Sequence, residues 1–296
     1  MLLTFAVATA FAAILVAVFL PQLLSPRRRL SSLADQVAVV SGGAQGLGRE
    51  IVLRLAAAGC SVVVWDVDRA GLESLRTQVE ASGGRIATDV VDVSQSADTK
   101  LAAERALQTW KKVTILINNA GVVSAKPLLE LTDAQIQRTM GVNLLACFWT
   151  TRALLPTMKE QPHAQIVNIA SVLGHIGVAR LSDYCASKHG VVGFHESLCM
   201  ELADQPNVVP TVVCPGTIST RMFDGIKHPF FMPPLTPEYV ADCVVDRIHQ
   251  GGGGMLVLPR LFHLMPFYRL LPMSLKVLAA RLTGVLHSVD NVKGSS

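Results

Sequence analysis

The chain has 296 residues, half of them hydrophobic and only 16% charged, with mean hydropathy +0.42 and a formal net charge of +4. That length allows one large domain or two small ones, and the apolarity exceeds what a freely soluble enzyme needs. Six cysteines without C-x-x-C spacing and eight histidines without a ligand pattern exclude a disulfide framework and a zinc site, and no metal is implied.

From Met1 to Pro26 there is no charged residue, and Leu2–Leu20 is an unbroken run of apolar or small residues. As a helix this run rises about 28 Å, close to the hydrocarbon thickness of a bilayer. A cleaved signal carries its basic region before the apolar core. Here the cluster Arg27-Arg28-Arg29 follows it, with no convincing cleavage site. Residues 1–30 therefore read as an uncleaved membrane anchor with a basic flank, spanning or embedded in one leaflet, that keeps the rest of the chain cytosolic. A removed signal is the alternative. The first 30 residues carry +3 and residues 255–296 carry +4, which leaves −3 for residues 31–254. Basic ends around an acidic body suit an anionic lipid surface, and no nucleic-acid partner is implied.

From Gln36 short β-branched runs alternate with helical stretches. Strands are predicted at 37–40, 61–65, 85–93, 113–118, 164–171, 208–214 and 255–258. Helices are predicted at 47–58, 70–82, 97–111, 132–158, 184–203 and 237–249. Seven nearly all-apolar strands alternating with helices describe an α/β fold, a doubly wound parallel sheet of Rossmann type buried on both faces. Residues 31–260 are expected to form this single domain, and 261–296 an amphipathic, basic extension.

The loop "SGGAQGLG" (41–48) follows the first strand and opens a helix, with glycines at 42, 46 and 48. Absent side chains let backbone approach a pyrophosphate, and a helix N-terminus supplies N–H groups and positive potential. Asp66 ends the second strand, eighteen residues past Gly48, where a carboxylate can accept bonds from adenosine ribose hydroxyls. The same charge repels a 2′-phosphate, and Gln45 stands where a compensating base would sit. NAD is thus preferred over NADP, although Arg69 can fold back toward the site.

Three further elements fall at strand ends, where such sheets bind ligands: "NNAG" (118–121), Ser171, and Tyr184 with Lys188 four residues on. Transfer of a hydride from an alcohol to nicotinamide requires the alcohol to lose its proton. Tyrosine, with a pKa of about 10, is a poor base unless nearby positive charge favours its phenolate. Lys188, one helical turn from Tyr184, can supply that charge and hold the nicotinamide ribose. Ser171 can orient and polarise the substrate oxygen. Asn143, on the long helix before Ser171, can fix a water in a proton path.

Taken together, S-G-x3-G-x-G, N-N-A-G, an Asn before the fifth strand, Ser and Y-x3-K resemble the short-chain dehydrogenase/reductase family, from about Gln36 to Arg260. The resemblance implies a catalytic tetrad of Asn143, Ser171, Tyr184 and Lys188, with Tyr184 as proton acceptor and Ser171 on the substrate. It implies a cofactor site of Ser41, Gly42, Gln45, Gly46, Leu47, Gly48 and Asp66, completed by Tyr184 and Lys188. Asp92 and Val93 would flank the adenine, Asn119 would line the cleft, and Ile218 and Thr220 would meet the nicotinamide carboxamide. Ser41 replaces the usual threonine and keeps its hydroxyl.

The stretches 142–158, 166–175 and 184–198, with Trp65-Asp66, resemble a membrane-bound branch of retinol dehydrogenases and 17β-hydroxysteroid dehydrogenases of the endoplasmic reticulum and lipid droplets. The resemblance implies a lipophilic small-molecule substrate, a retinoid, steroid or other lipid alcohol, and a membrane or lipid-droplet surface as partner. The aromatic, Met- and Pro-rich segment 221–237 reads as an adaptable apolar lid. Residues 258–286 mix Leu, Phe and Met with spaced cations and two prolines. They read either as an interfacial surface or as a helix packed on the domain or on a second subunit of a homodimer. The competing function is a membrane or droplet scaffold that binds nucleotide without turnover, which would have no need of the Ser-Tyr-Lys set.

Overall fold

The computed structural model describes residues 29–30, 32–228, 233–259, 262–263, 268–290, 292 and 294. The anchor expected at Leu2–Leu20 lies outside them, as do residues 229–232 of the expected lid. Among the described residues no helix is long and apolar enough to cross a membrane.

Seven strands form one parallel sheet: β1 (Val37–Ser41), β2 (Ser61–Asp66), β3 (Arg85–Val90), β4 (Ile115–Asn118), β5 (Ala164–Ile169), β6 (Val208–Pro215) and β7 (Gly254–Leu258), in the order β3-β2-β1-β4-β5-β6-β7. The order reverses at β1, which pairs with β2 on one side and β4 on the other. A reversal of this kind opens a crevice beyond the carboxyl ends of the strands.

Period-two alternation of side chains explains the all-apolar inner strands, whereas β3, at the edge of the sheet, reads RIATDV and buries none of its residues, unlike the expected burial on both faces. Val40, Val64 and Ile117 belong to the core under one face, while Val39, Val63 and Leu116 belong to the core under the other. Helices α1 (Gly46–Ala57) and α2 (Arg69–Ala81) cover the first face, together with α7 (Pro237–His249). In α1 the buried Leu47, Ile51, Val52 and Leu55 keep helical spacing. Helices α3 (Ser96–Trp110), α5 (Ala146–Lys159) and α6 (Ser182–Glu201) contribute to the second.

One predicted element differs in kind. The continuous helix expected over 132–158 is α4 (Asp133–Met140), a π-helical turn (Gly141–Leu145) and α5. The amino end is fixed by a capping box in which the Thr132 hydroxyl accepts from the Gln135 N–H and the Gln135 side chain accepts from the Thr132 N–H. The widened turn holds Asn143, and such turns often occur at functional sites. Beyond β7, α8 (Met273–Leu282) has no buried residue, whereas Val289 and Val292 return to the core.

Between β4, β5 and α5 lies a buried polar cluster. Asn118 donates to Asn168 Oδ1 at 2.8 Å, and Thr150 donates to Asn118 Oδ1 at 2.6 Å. These bonds fix the ends of two central strands against α5, directly under the crevice.

His195 on α6 is buried, and burial lowers its pKa to about 4. The unfolded chain binds this proton near 6.5 and the folded chain only near 4, so stability is lost as pH falls from 6.5 toward 4. For one such group the slope is about 1.4 kcal/mol per pH unit. In denaturant titrations across this window, His195→Gln should flatten the pH dependence by about one proton. An unchanged slope would contradict the burial argument.

Candidate active site

A cleft of about 1660 Å³ opens over the carboxyl ends of the strands. Of the sixteen expected residues, Gly42, Gln45, Gly46, Leu47, Gly48, Asp66, Asp92, Val93, Asn119, Ser171, Tyr184, Lys188, Ile218 and Thr220 line it. Ser41 and Asn143 sit behind the wall, 2% and 1% exposed.

The glycine loop works differently at each position. A Cβ on Gly48 would collide with the Gly42 carbonyl oxygen and stand 2.5 Å from Asn119 Nδ2. That amide donates to the carbonyls of Ser41 at 3.0 Å and Gly42 at 2.8 Å. Gly48 is therefore needed so that "NNAG" can strap the loop down. The Ser41 hydroxyl belongs to the same strap, accepting from the N–H groups of Asn119 and Ala120. Gly46 alone faces outward. Its φ of +52° suits glycine, and its missing side chain points toward Thr220 Cγ2 at 3.4 Å across the cleft.

Asp66 is held by two backbone N–H groups, from Ala44 at 2.9 Å and Asp68 at 3.0 Å. A carboxylate has about four acceptor positions, so capacity remains for two ligand hydroxyls. Gln45 is tied to Asp68 at 2.8 Å. Arg49 points to Ser74 and Gln78 with one guanidinium nitrogen and to backbone carbonyls with the other. Asp92 accepts from the hydroxyl and N–H of Ser94. An open glycine turn at a helix N-terminus, an anchored carboxylate and an elongated cleft together fit a dinucleotide.

At the other end, Tyr184, Ser187 and Lys188 lie on one face of α6 because of their 3–4 residue spacing. The Ser171 hydroxyl accepts from the Leu173 N–H at 3.1 Å, and its effect on the Tyr184 phenol is to favour the ionised form. The Lys188 Nζ donates to the Ile169 carbonyl at 2.9 Å and lies 5.7 Å from the centroid of the Tyr184 ring. Phe223 packs edge-on against that ring at 5.7 Å.

The protein's own groups are one part of the setting expected for Y-x3-K, the other being a positively charged nicotinamide, and among them burial prevails. Burial raises the phenol's pKa well above the usual tyrosine range, against the opposing effect of Ser171. The same burial lowers Lys188 to about 8. At neutral pH the pair is thus a neutral phenol beside an ammonium, an arrangement suited to donating a proton. Behind Lys188, burial pushes the Cys147 and Cys214 thiols up to about 11 and about 12, so both stay neutral.

Asn143 is a brace. Its Oδ1 accepts from the Val122 N–H at 2.7 Å, and its Nδ2 donates to the Val122 carbonyl at 3.0 Å and the Ser187 hydroxyl at 3.1 Å. Ser187 in turn donates to the Tyr184 carbonyl at 2.7 Å. Ser187 was not among the expected residues, although its place three residues after Tyr184 puts it on the same face. The Val285, Ser288 and Val289 side of the wall was also unexpected. Val289 and Val292 join Tyr184 in one apolar cluster with Met222, Phe223 and Ile226. This end of the cleft is lined mainly by apolar side chains, beside Lys227 and Ser288, with Ser171 and Tyr184 at its base.

Residues 36–229 match the family model described as short chain dehydrogenase. Human retinol dehydrogenase 10 is 37% identical over 291 residues, covering 87% of this chain and 85% of that protein. Human epidermal retinol dehydrogenase 2 is 35% identical, covering 90% and 88%. Estradiol 17-beta-dehydrogenase 11 of Macaca fascicularis is 38% identical, covering 77% and 76%. Among solved structures, a metagenomic short-chain oxidoreductase in complex with NADP superposes with a TM-score of 0.67 at 29% identity, covering 77% of this chain and 98% of that one.

Gly48→Ala should lower stability by about 1–3 kcal/mol through overpacking and should weaken nucleotide binding together with it. Chemical unfolding and calorimetric titration with NAD+ measure the two effects. Native stability with native affinity would refute the strap.

Proposed function

The chain belongs to the short-chain dehydrogenase family and is an NAD(P)-dependent oxidoreductase of CH–OH groups, and from that premise we propose that it interconverts a lipophilic alcohol and its carbonyl. The observation that carries this reading is the Ser171–Tyr184–Lys188 group at the base of an apolar cleft end. Retinoids and steroids are the first substrate classes, from the names of the retinol and estradiol dehydrogenases that the chain resembles. Other lipid alcohols follow.

Tyr184 is the acid/base at its phenolic oxygen. Ser171 orients the substrate oxygen and favours the ionised form of the phenol. Lys188 holds a ribose and keeps positive charge beside the ring. Asn143 and Ser187 hold Tyr184 at the right height on α6. Gln45, Gly46 and Leu47 cradle the pyrophosphate, and Gly42, Gly48, Ser41 and Asn119 set the loop's shape. Asp66 takes the adenosine ribose, Asp92 and Val93 the adenine, and Ile218 and Thr220 the carboxamide. When bound, nicotinamide supplies the hydride donor or acceptor and, oxidised, a positive charge. The protein's own groups keep the phenol protonated, which serves carbonyl reduction directly; alcohol oxidation needs added positive charge to lower that pKa. The chain is anchored by residues 1–30 at the endoplasmic reticulum or a lipid droplet, with its catalytic domain in the cytosol and 261–296 as an amphipathic extension.

NAD is the preferred cofactor, because Asp66 and Asp68 both stand at the adenosine end and Arg49 is engaged elsewhere. Asp66→Ser should shift the NADP+ to NAD+ ratio of kcat/KM upward by about tenfold or more. A native protein already strongly selective for NADP+ would refute the assignment.

Assaying the full-length protein against retinol, estradiol and long-chain alcohols with each cofactor tests the reaction. Tyr184→Phe should bind NAD+ as the native chain does while turnover falls by about 10²–10⁴-fold. Appreciable activity in that variant would remove Tyr184 from the acid/base role, and a native chain inactive on the whole panel would favour the scaffold.

A further inference from the structure

Helix α8 packs lightly on the rest of the described fold, Lys276 reaching back to the Arg269 carbonyl at 2.9 Å and the Tyr268 ring. It contributes no buried residue, yet it is mostly apolar: Met273 is 69% exposed, Leu278 51% and Leu282 79%. Leu275, Leu278 and Leu282, at i, i+3 and i+7, form one stripe along it. At 100° per residue, Lys276 and Arg281 flank that stripe on opposite sides. From Pro259 to Val289 the sequence contains no acidic residue.

The position of α8 is as telling as its composition. A turn at Thr283-Gly284, with Gly284 at φ +75°, leads directly from Leu282 to Val285, the first residue of this segment that lines the cleft. Three residues on, the Ser288 carbonyl accepts from the Lys227 N–H at 2.8 Å, joining this segment to the other wall of the apolar end. The exposed helix and the substrate end are thus one continuous piece of chain.

We propose that α8 docks on an anionic lipid surface, with the leucine stripe among acyl chains and Lys276 and Arg281 at headgroup level, so that the apolar end of the cleft opens toward lipid. An apolar stripe edged by cations is the pattern of a helix lying in an interface. A symmetric contact between two copies through this face would instead bring lysine and arginine side chains together with no acid on the segment to pair them. The consequence for substrate delivery rests on the lipophilic-substrate reading above; the docking does not.

The test uses the full-length chain reconstituted in vesicles of equal parts phosphatidylcholine and phosphatidylserine, with part of the phosphatidylcholine brominated on its acyl chains. A tryptophan placed by Leu278→Trp should lose about half its added fluorescence to the bromolipid. One placed by Met200→Trp, at a still more exposed position on the far end of α6, should lose none. No quenching at 278 overturns the proposal, and shielding of that tryptophan from aqueous iodide as well would assign the helix to a protein partner, either a second copy or another part of this chain. Because this readout needs no turnover, it stands if the enzymatic reading fails. For delivery, the combined Leu275→Ser, Leu278→Ser and Leu282→Ser variant should raise KM about tenfold for a vesicle-dissolved long-chain alcohol and leave KM for a short water-soluble alcohol unchanged. Equal KM values for native and variant chains on the vesicle-dissolved alcohol would overturn the delivery role.

Discussion

Carrying a lysine ammonium out of water costs several kcal/mol unless the protein replaces its hydration. Lys188 is 4% exposed, and what surrounds its ammonium is the Ile169 carbonyl, the edge of the Tyr184 environment and two neutral thiols. The placement works because α6 lies very close to its neighbours. A Cβ on Gly174 would stand 2.8 Å from the Lys188 carbonyl oxygen, and one on Gly190 would stand 2.6 Å from Leu144. Small residues at these contacts let α6 approach the end of β5 and the π-helical turn closely enough for Ile169 to reach Nζ. The site's chemistry depends on that approach, since the same burial that lowers Lys188 raises Tyr184.

This also explains which parts of the molecule were legible in the sequence. Strands buried on both faces must be apolar at every position, so "VAVV" and "SVVVW" announced β1 and β2 within a residue of their ends. Tyr184 and Lys188 could be paired because helical geometry brings i and i+4 together wherever the helix sits. The glycine loop could be recognised, but not the division of labour within it. Whether a missing side chain faces ligand or protein depends on Asn119, which is 71 residues beyond Gly48 and reaches it only through the β1–β4 pairing.

The π-helical turn was not legible for a similar reason. Residues 132–158 carry helical spacing throughout, and nothing local distinguishes an i→i+4 from an i→i+5 turn. What the widening accompanies is tertiary: Asn143 faces Val122 and Ser187, which belong to two other elements. The valines at 285, 289 and 292 suggest a weak helical stripe but not its destination. Their place in the wall follows from the return of the chain after α8, a path with no local signal.

The two halves of the sheet give the cleft a gradient. The β1–β2 side carries Gln45, Asp66 and Asp68, all polar and mutually bonded. Beyond β4, Phe223, Ile226 and Val289 close around an apolar space. Tyr184 stands at the boundary, its ring packed against Phe223. A molecule that satisfies both sides of this boundary must present one oxygen to the hydroxyls while leaving the rest of its surface without hydrogen-bond demands. Buried polar groups left unpaired discriminate more strongly than apolar contacts do. Under the proposed reading, selectivity therefore acts mainly against substrates with a second polar group near the reacting carbon, and only weakly among apolar skeletons of similar width. An apolar wall that ranks hydrocarbon shapes so loosely leaves the choice among lipid alcohols to whichever ones the surface beneath α8 delivers.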